Sequence, residues 1–237
     1  MTATSARQAS FRDRMAVAIA ARGQLCAGID PSRELLSAWS LNDDAGGIRT
    51  FAGRCVEAAR GNAAAVKLNV AFFERHGPDG MRALAQILAE ARQAGLVAIA
   101  DAKRSDIATT MAAYADAWVS DGGPFDVDAL TVVPYFGIDA FDPLVERAEA
   151  NSRGIFVVVR SSNPGGRDIQ TATTTGGSSL EATLLAELSA RSDALGAVVG
   201  VVPGTAPLPL VSDMFYLAPG VGAVSYTHLT LPTILRV

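Results

Sequence analysis

The stretch "LVAIADAKRSDIATT" at residues 96–110 begins as an apolar run and then places two carboxylates and an ammonium within six positions. Its apolar part has the length and composition of a strand buried in a parallel sheet. Residues two apart on a strand point to the same side, so Asp101 and Lys103 are expected to project together, with Asp106 in the loop just beyond. Three charges would then share one small volume where a buried strand ends.

Similar short β-rich runs recur along the chain and alternate with longer Ala-rich segments of helical period, such as residues 80–95. The seven predicted strands cover residues 25–30, 64–69, 96–103, 129–134, 154–162, 196–202 and 215–222. Strands of this kind separated by helices indicate a parallel sheet covered on both faces. A TIM-type (β/α)8 barrel is the favoured closure, and a doubly wound open sheet is the alternative.

Polar residues stand at the C-terminal ends of several predicted strands: Asp30, Lys67, Asp101 with Lys103, and "RSSNPGG" at residues 160–166. In a barrel these ends converge on one mouth, where active sites are built. An ion-pair network that merely closes the barrel is the structural alternative, since buried charges persist only when paired. Charged residues recur at the ends of three predicted strands, which favours a functional site over a structural ion pair. The flanking carboxylates keep Lys103 protonated, which favours a role as proton donor over that of a neutral, nucleophilic amine.

Composition excludes several classes of protein. The chain has 237 residues, 49% of them hydrophobic, and a net charge of -4, which suits one large globular domain. Its basic residues are scattered, so a nucleic-acid surface is not expected. Cys26 and Cys55 lack metal-ligand spacing and are expected to be structural thiols. Neither a signal peptide nor a membrane span is recognisable, so a cytoplasmic location is expected.

Two glycine-containing segments could offer backbone N–H groups to a phosphate. They are "NPGG" at residues 163–166 and "APGVGA" at residues 218–223, each following a predicted strand. An ordinary turn explains residues 163–166 equally well, and residues 218–223 are a weak signal when taken alone. Neither one therefore identifies a phosphate site by itself.

The pattern Asp-x-Lys-x-x-Asp-Ile-x-x-Thr, formed by Asp101, Lys103, Asp106, Ile107 and Thr110, closely resembles the signature of the orotidine 5'-phosphate decarboxylase family. Further matching segments are "LCAGIDPS" (25–32), "VKLNVAFFE" (66–74), "VRSSNPGGRDIQ" (159–170) and "LAPGVGA" (217–223). Together they resemble the longer bacterial branch of that family over residues 25–223.

The resemblance implies a TIM-barrel homodimer that converts orotidine 5'-monophosphate to UMP and CO2 without a metal or organic cofactor. By matching positions, the catalytic residues are Lys103, Asp101, Asp106 and Lys67, and the substrate-binding residues are Asp30 and Thr110. Lys103 would protonate C6 of the pyrimidine as CO2 leaves, and Asp101 would lie against the departing carboxylate. Asp106 would reach the partner subunit's site, while Lys67 completes the charged network and Asp30 and Thr110 hold ribose hydroxyls.

The resemblance stops after Ala223, where the family continues with a Gln-Gly segment, a helix, an eighth strand and a phosphate-binding arginine. Here Val224 occupies the glutamine position and the chain reads "VSYTHLTLPTILRV". We interpret residues 1–223 as a single barrel domain without its eighth βα unit and residues 224–237 as a non-native tail. An unclosed barrel would expose strand edges, so the chain as written is expected to be poorly soluble and nearly inactive.

Two other functions remain open at this point. One is a metal-dependent phosphosugar lyase or synthase of the same superfamily. Asp30 could serve as a ligand, but Lys67 at the end of the next predicted strand argues against a cation there. The other is a non-catalytic barrel that binds a nucleotide, against which the intact charged cluster argues.

Overall fold

Eight strands form a closed barrel within the part of the chain that the computed structural model describes, residues 9–200, 207–219 and 233–236. The strands are β1 (Leu25–Ile29), β2 (Ala65–Asn69), β3 (Val97–Arg104), β4 (Ala129–Val132), β5 (Gly154–Arg160), β6 (Leu195–Val199), β7 (Tyr216–Ala218) and β8 (Thr233–Arg236). Each strand from β1 to β6 is parallel to the strand that follows it. The predicted TIM-type barrel is therefore confirmed, and the open sheet is excluded.

Helices lie between most successive strands and cover the outside of the barrel. They are α1 (Phe11–Arg22), α2 (Arg33–Ala38), α3 (Ala45–Ala59), α4 (Ala71–Glu74), α5 (Gly77–Gln93), α6 (Ala108–Trp118), α7 (Asp142–Ala150), α8 (Arg167–Gln170) and α9 (Leu180–Arg191). Short 3-10 turns occur at Pro134–Phe136, Ile138–Phe141 and Pro164–Gly166. No helix in the described ranges combines the length and the apolar character needed to cross a bilayer.

Helix α5 shows how the sequence pattern produces this outer layer. Its buried residues include Leu84, Ile87, Leu88 and Ala91, whose spacing of three and four residues places them on one face against the core. The helix was predicted at residues 80–95 and begins one turn earlier. It is followed by Gly95, which has a positive φ of 75° that suits the end of a helix.

The N-terminal helix α1 closes the end of the barrel at which the parallel strands begin. Its Phe11 lies edge-on to Phe156 of β5 and to Phe215, with ring centroids 6.2 and 5.0 Å away, and Phe156 and Phe215 are 5.0 Å apart. Arg14 of the same helix pairs with the buried Asp128 at 2.5 Å. Among the described residues, side chains therefore fill this end of the barrel, which leaves the opposite mouth as the expected entrance for a ligand.

The eighth position of the barrel differs from the other seven. Strand β8 pairs antiparallel with both β1 and β7, so the eighth place in the sheet is not filled by a parallel βα unit within the described residues. The predicted absence of the eighth βα unit is confirmed for these residues. The expected exposure of strand edges is wrong where β8 pairs with Leu25 and Cys26 of β1 and with Tyr216–Ala218 of β7. Of the sequence interpreted as a non-native tail, residues 224–232 and 237 lie outside the description, as do residues 201–202 and 220–222 of two predicted strands.

Candidate active site

Polar side chains collect at the open mouth because the inward-facing residues of each strand are apolar near its start and polar near its end. The inward-facing residues are Ala65, Lys67 and Asn69 on β2, Ile99 and Asp101 on β3, and Ala129 and Thr131 on β4. Alternate residues share a face, so apolar residues meet near α1 and polar residues meet at the C-terminal ends. The pairing of Asn69 with Asp101 in the sheet register brings β2 and β3 together at that level.

Asp101 lies at the centre of the group and pairs with both lysines. Its Oδ2 is 2.8 Å from Nζ of Lys67, and its Oδ1 is 2.6 Å from Nζ of Lys103. The side chains of Lys67 and Asp101 are only 10% and 11% exposed, whereas that of Lys103 is 53% exposed. The geometry therefore offers one ammonium to the mouth and keeps the other two charges beneath it.

The mutual contacts fix the protonation states of the buried members. Burial alone would raise the pKa of Asp101, but the ammonium groups of Lys67 and Lys103 lower it to about 2. Burial disfavours the charged form of Lys67, yet the carboxylates of Asp101 and Asp30 outweigh this effect and raise its pKa. At neutral pH the site consequently holds an ionised carboxylate and a charged ammonium before any ligand arrives.

Asp30 follows β1 and carries a buried oxygen with unused hydrogen-bonding capacity. Its Oδ1 is buried and has no hydrogen-bond partner among the described residues. Burial raises the pKa of Asp30, against the attraction of Lys67 and a side-chain hydrogen bond from Asn69. Since buried acceptors in native proteins are normally satisfied, this oxygen is suited to a hydroxyl donor on a bound ligand.

Asp106 and Thr110 stand apart from the paired charges. Oδ1 of Asp106 accepts a hydrogen bond of 2.7 Å from the backbone N–H of Ile107, and within the described ranges Asp106 forms no ion pair. Thr110 lies in the first turn of α6, where its N–H donates to the carbonyl of Ile107. The structure thus unites Lys67, Asp101 and Lys103 but leaves Asp106 and Thr110 on the adjoining loop and helix.

The end of β5 and the residues after it, which were predicted to lie at the mouth as residues 160–166, are held by two sets of side-chain contacts. Arg160 makes a buried, bidentate ion pair with Glu181 of α9, with distances of 2.8 and 2.5 Å. Ser161 is held by Gln170, whose Oε1 accepts from its N–H at 3.2 Å and whose Nε2 donates to its Oγ at 2.8 Å. Anion binding by residues 163–166 stays a prediction, and the corresponding prediction for "APGVGA" lies outside the described residues from position 220 onward.

Two residues of the mouth were missed in the sequence. Thr131 contacts both Asp101 and the backbone of Lys103, and Asn69 interacts with Asp30. Both are polar residues on the inward face of otherwise apolar strands, and that pattern could have revealed them. Their importance depends on which strands are neighbours, which only the closed sheet shows.

Fold and site together define a TIM-barrel enzyme whose open mouth carries a lysine–carboxylate array. Residues 23–228 match the model of the orotidine 5'-phosphate decarboxylase / HUMPS family. The chain belongs to this family, in agreement with the resemblance seen in its motifs. The matched range contains every residue of the array described above.

Individual relatives give the same result. An orotidine 5'-phosphate decarboxylase from Streptomyces coelicolor is 41% identical over 231 residues, covering 94% of this chain and 83% of the relative. One from Corynebacterium efficiens is 38% identical, covering 95% and 84%. Among solved structures, a candidate orotidine 5'-phosphate decarboxylase from Streptomyces avermitilis has a TM-score of 0.87 at 40% identity, covering 94% of this chain and 81% of that chain. The OMP decarboxylase of Leishmania donovani has a TM-score of 0.74 at 28% identity, covering 90% and 81%.

Proposed function

We propose that this protein decarboxylates orotidine 5'-monophosphate to UMP and CO2 and so serves pyrimidine nucleotide synthesis. The observation that carries the proposal is the array in which Asp101 holds Lys67 and Lys103 at 2.8 and 2.6 Å. Family membership and the names of the relatives support the same substrate. The two free thiols, Cys26 and Cys55, fit a cytoplasmic enzyme of this kind.

The chemistry demands positive charge beside one carbon atom. Loss of CO2 from C6 of the pyrimidine leaves an electron pair in an sp2 orbital that the ring cannot delocalise well. A fixed ammonium stabilises that charge as it develops, and Lys103 is the exposed member of the array. We assign to Lys103 the proton that replaces the carboxylate at C6, so the C–C bond breaks and a C–H bond forms at the same carbon.

Asp101 and Lys67 act on this step from below. Asp101 orients the ammonium of Lys103 and would lie beside the departing carboxylate, while Lys67 holds Asp101 ionised. The charges are in place before the substrate binds, so little reorganisation is needed during the reaction. We assign the ribose hydroxyls to Asp30, whose buried Oδ1 lacks a donor in the described structure, and to Thr110.

We further propose a homodimer in which Asp106 enters the partner's site. Its support is an exposed apolar surface next to Asp106, formed by Ile107 on the loop after β3 and by Tyr135 and Phe136 after β4. Tyr135 is 84% exposed. A hydrogen bond of 2.6 Å from Oγ of Ser105 to the carbonyl of Val133 joins these two neighbouring segments. Burial of such a surface against a second copy would bring the two Asp106 loops to the subunit boundary.

A metal-dependent lyase is less well supported. A divalent cation would need oxygen ligands at the strand ends, and Asp30 and Asp101 are the carboxylates available there. Lys67 interacts with both of them and places a positive charge where the cation would bind.

The test is UMP formation from orotidine 5'-monophosphate in the presence of EDTA. We expect the unsubstituted chain to form UMP, and we expect Lys103→Ala to lose at least about 1000-fold of that turnover. Lys103→Arg is also expected to be inactive, because a guanidinium does not give up its proton and differs in shape. Arg82→Ala, which removes an exposed cation on α5, is the matched control and should keep wild-type turnover.

The outcomes separate the alternatives. Turnover that requires a divalent metal would favour the lyase, and tight UMP binding by a folded protein without CO2 release would favour the non-catalytic barrel. Undiminished activity in Lys103→Ala would refute the proton-donor role.

We also propose that residues 224–237 lower the turnover of this chain. The support is that residues 229–237 lie beyond the range matched by the family model, and that β8 runs antiparallel whereas β1 to β7 run parallel to one another. Replacing residues 224–237 with the corresponding segment of the Streptomyces coelicolor relative should raise the turnover. Equal turnover by the two chains would contradict this proposal.

A further inference from the structure

The backbone of β3 leaves the regular ladder where the charged residues begin. Ala100 pairs with Leu130 and Arg104 pairs with Val132. Between these two pairs β3 therefore moves on by four residues, whereas β4 moves on by only two. Such a bulge bends the strand and redirects its side chains. Within it, Lys103 has a φ of 49°, in the left-handed region that a long L side chain seldom adopts.

The hydroxyl of Thr131 on β4 fills the gap in this ladder. Its Oγ1 accepts a hydrogen bond of 3.0 Å from the backbone N–H of Lys103. The same hydroxyl donates a hydrogen bond of 3.0 Å to Oδ1 of Asp101, the oxygen that pairs with Nζ of Lys103. Thr131 is only 1% exposed, so water cannot readily take over either contact.

We propose that Thr131 is a positioning residue that sets the relative placement of Asp101 and Lys103 for the reaction, an inference that rests on the proposed decarboxylase function. One hydroxyl holds the carboxylate by its oxygen and the lysine by its backbone, so the two cannot move independently. Loss of the hydroxyl leaves the N–H of Lys103 without its acceptor and removes the constraint on the Asp101 rotamer. The ammonium would then sample positions away from the carbon that must be protonated.

A threonine that only satisfies its own hydrogen bonds in the core would behave differently. Removing its hydroxyl would lower the stability of the fold without acting selectively on the chemical step. The two roles are separated by comparing kcat with KM and by comparing Thr131→Val with Thr131→Ser. Valine keeps the shape and lacks the hydroxyl, whereas serine keeps the hydroxyl.

The experiment measures decarboxylation by the full chain and by both variants. Thr131→Val is expected to lower kcat by about 10- to 100-fold, the effect of losing one buried hydrogen bond to a charged group, with KM changed by less than about threefold. Thr131→Ser should recover most of kcat. Thr183→Val is the matched control, because its hydroxyl bonds to the carbonyl of Ser179 in α9.

Hydrogen exchange of the Lys103 amide provides a readout that does not need turnover. We expect the Lys103 amide to exchange at least about tenfold faster in Thr131→Val than in the wild type or in Thr131→Ser, because valine lacks the hydroxyl that accepts the hydrogen bond of this amide. Unchanged kcat in Thr131→Val, equal loss of kcat in both variants, or unchanged Lys103 exchange would each overturn the proposal. Absence of turnover both in this chain and in the chain that carries the Streptomyces coelicolor segment in place of residues 224–237 would instead count against the decarboxylase function. The exchange rates would still decide whether Thr131 holds Lys103.

Discussion

Replacing Asp101 with asparagine removes the one carboxylate that holds both lysines of the mouth. The pKa of Asp101 is lowered from 3.8 to about 2. A depression of this size corresponds to about 2.5 kcal/mol of stability at neutral pH. In Asp101→Asn the ammonium of Lys67, 10% exposed, also loses its nearest carboxylate. We therefore expect the free energy of unfolding to fall by about 2.5 kcal/mol or somewhat more at pH 7.

The stability difference between wild type and Asp101→Asn should depend on pH in a definite direction. The pKa of Asp101 lies lower in the folded protein than in the unfolded chain, so its contribution is complete above the unfolded value. The contribution is lost as the pH falls from about 4 through the folded value of about 2. The difference in stability between wild type and Asp101→Asn should accordingly narrow below pH 4.

Urea unfolding followed by circular dichroism between pH 3 and pH 7 measures this difference. Asp193→Asn is the control, since Asp193 is exposed and its pair with Arg12 at 3.1 Å is expected to contribute less than about 1 kcal/mol. Equal stability of Asp101→Asn and wild type at pH 7, or a difference that does not change with pH, would refute the electrostatic account of the array.

Three further outcomes follow from the described contacts. Asp128→Ala should lower the free energy of unfolding by about 3 kcal/mol, because the buried carboxylate accepts from Arg14 and from the N–H of Ala98; a urea midpoint close to wild type would contradict this. Cys26 should resist thiol reagents at pH 8 until the protein unfolds, because burial raises its pKa to about 12; modification of the native protein would argue otherwise. An amine-directed acylating reagent should label Lys103 before Lys67, as peptide mass spectrometry can show, and equal rates would contradict their different exposure.

The repeating part of the fold could be predicted from local patterns. Apolar runs and helical periods located all seven parallel strands, and the predicted strand at residues 129–134 begins where β4 begins. The closing elements could not be predicted in this way. Helix α1 seals the barrel through contacts of Phe11 with residues more than a hundred positions away, and β8 joins strands from opposite ends of the chain. Such long-range contacts leave no periodic trace in the sequence.

The site was predictable where a charged residue ends an apolar strand and unpredictable where geometry depends on register. Alternation predicted that Asp101 and Lys103 project to one side. The structure brings them into contact, but through a bulged backbone with a positive φ at Lys103 and not through a regular strand. The roles of Thr131 and Asn69 depend on the bulge in β3 and on the neighbours of each strand. A polar residue in a buried strand indicates that a partner exists without showing which strand supplies it.

The use of basic residues offers an independent argument for the array. Of the twenty lysines and arginines in the chain, only Lys67 and Lys103 are lysines, and both contact Asp101. Every other basic position carries arginine, including the buried Arg160 and the exposed Arg82. In the ion pairs of the described residues outside this array, the lysine or arginine partner of a carboxylate is always an arginine. Lysine occurs only where a compact ammonium lies at the mouth, and of the two cations only an ammonium can release a proton to a carbanion at accessible pH.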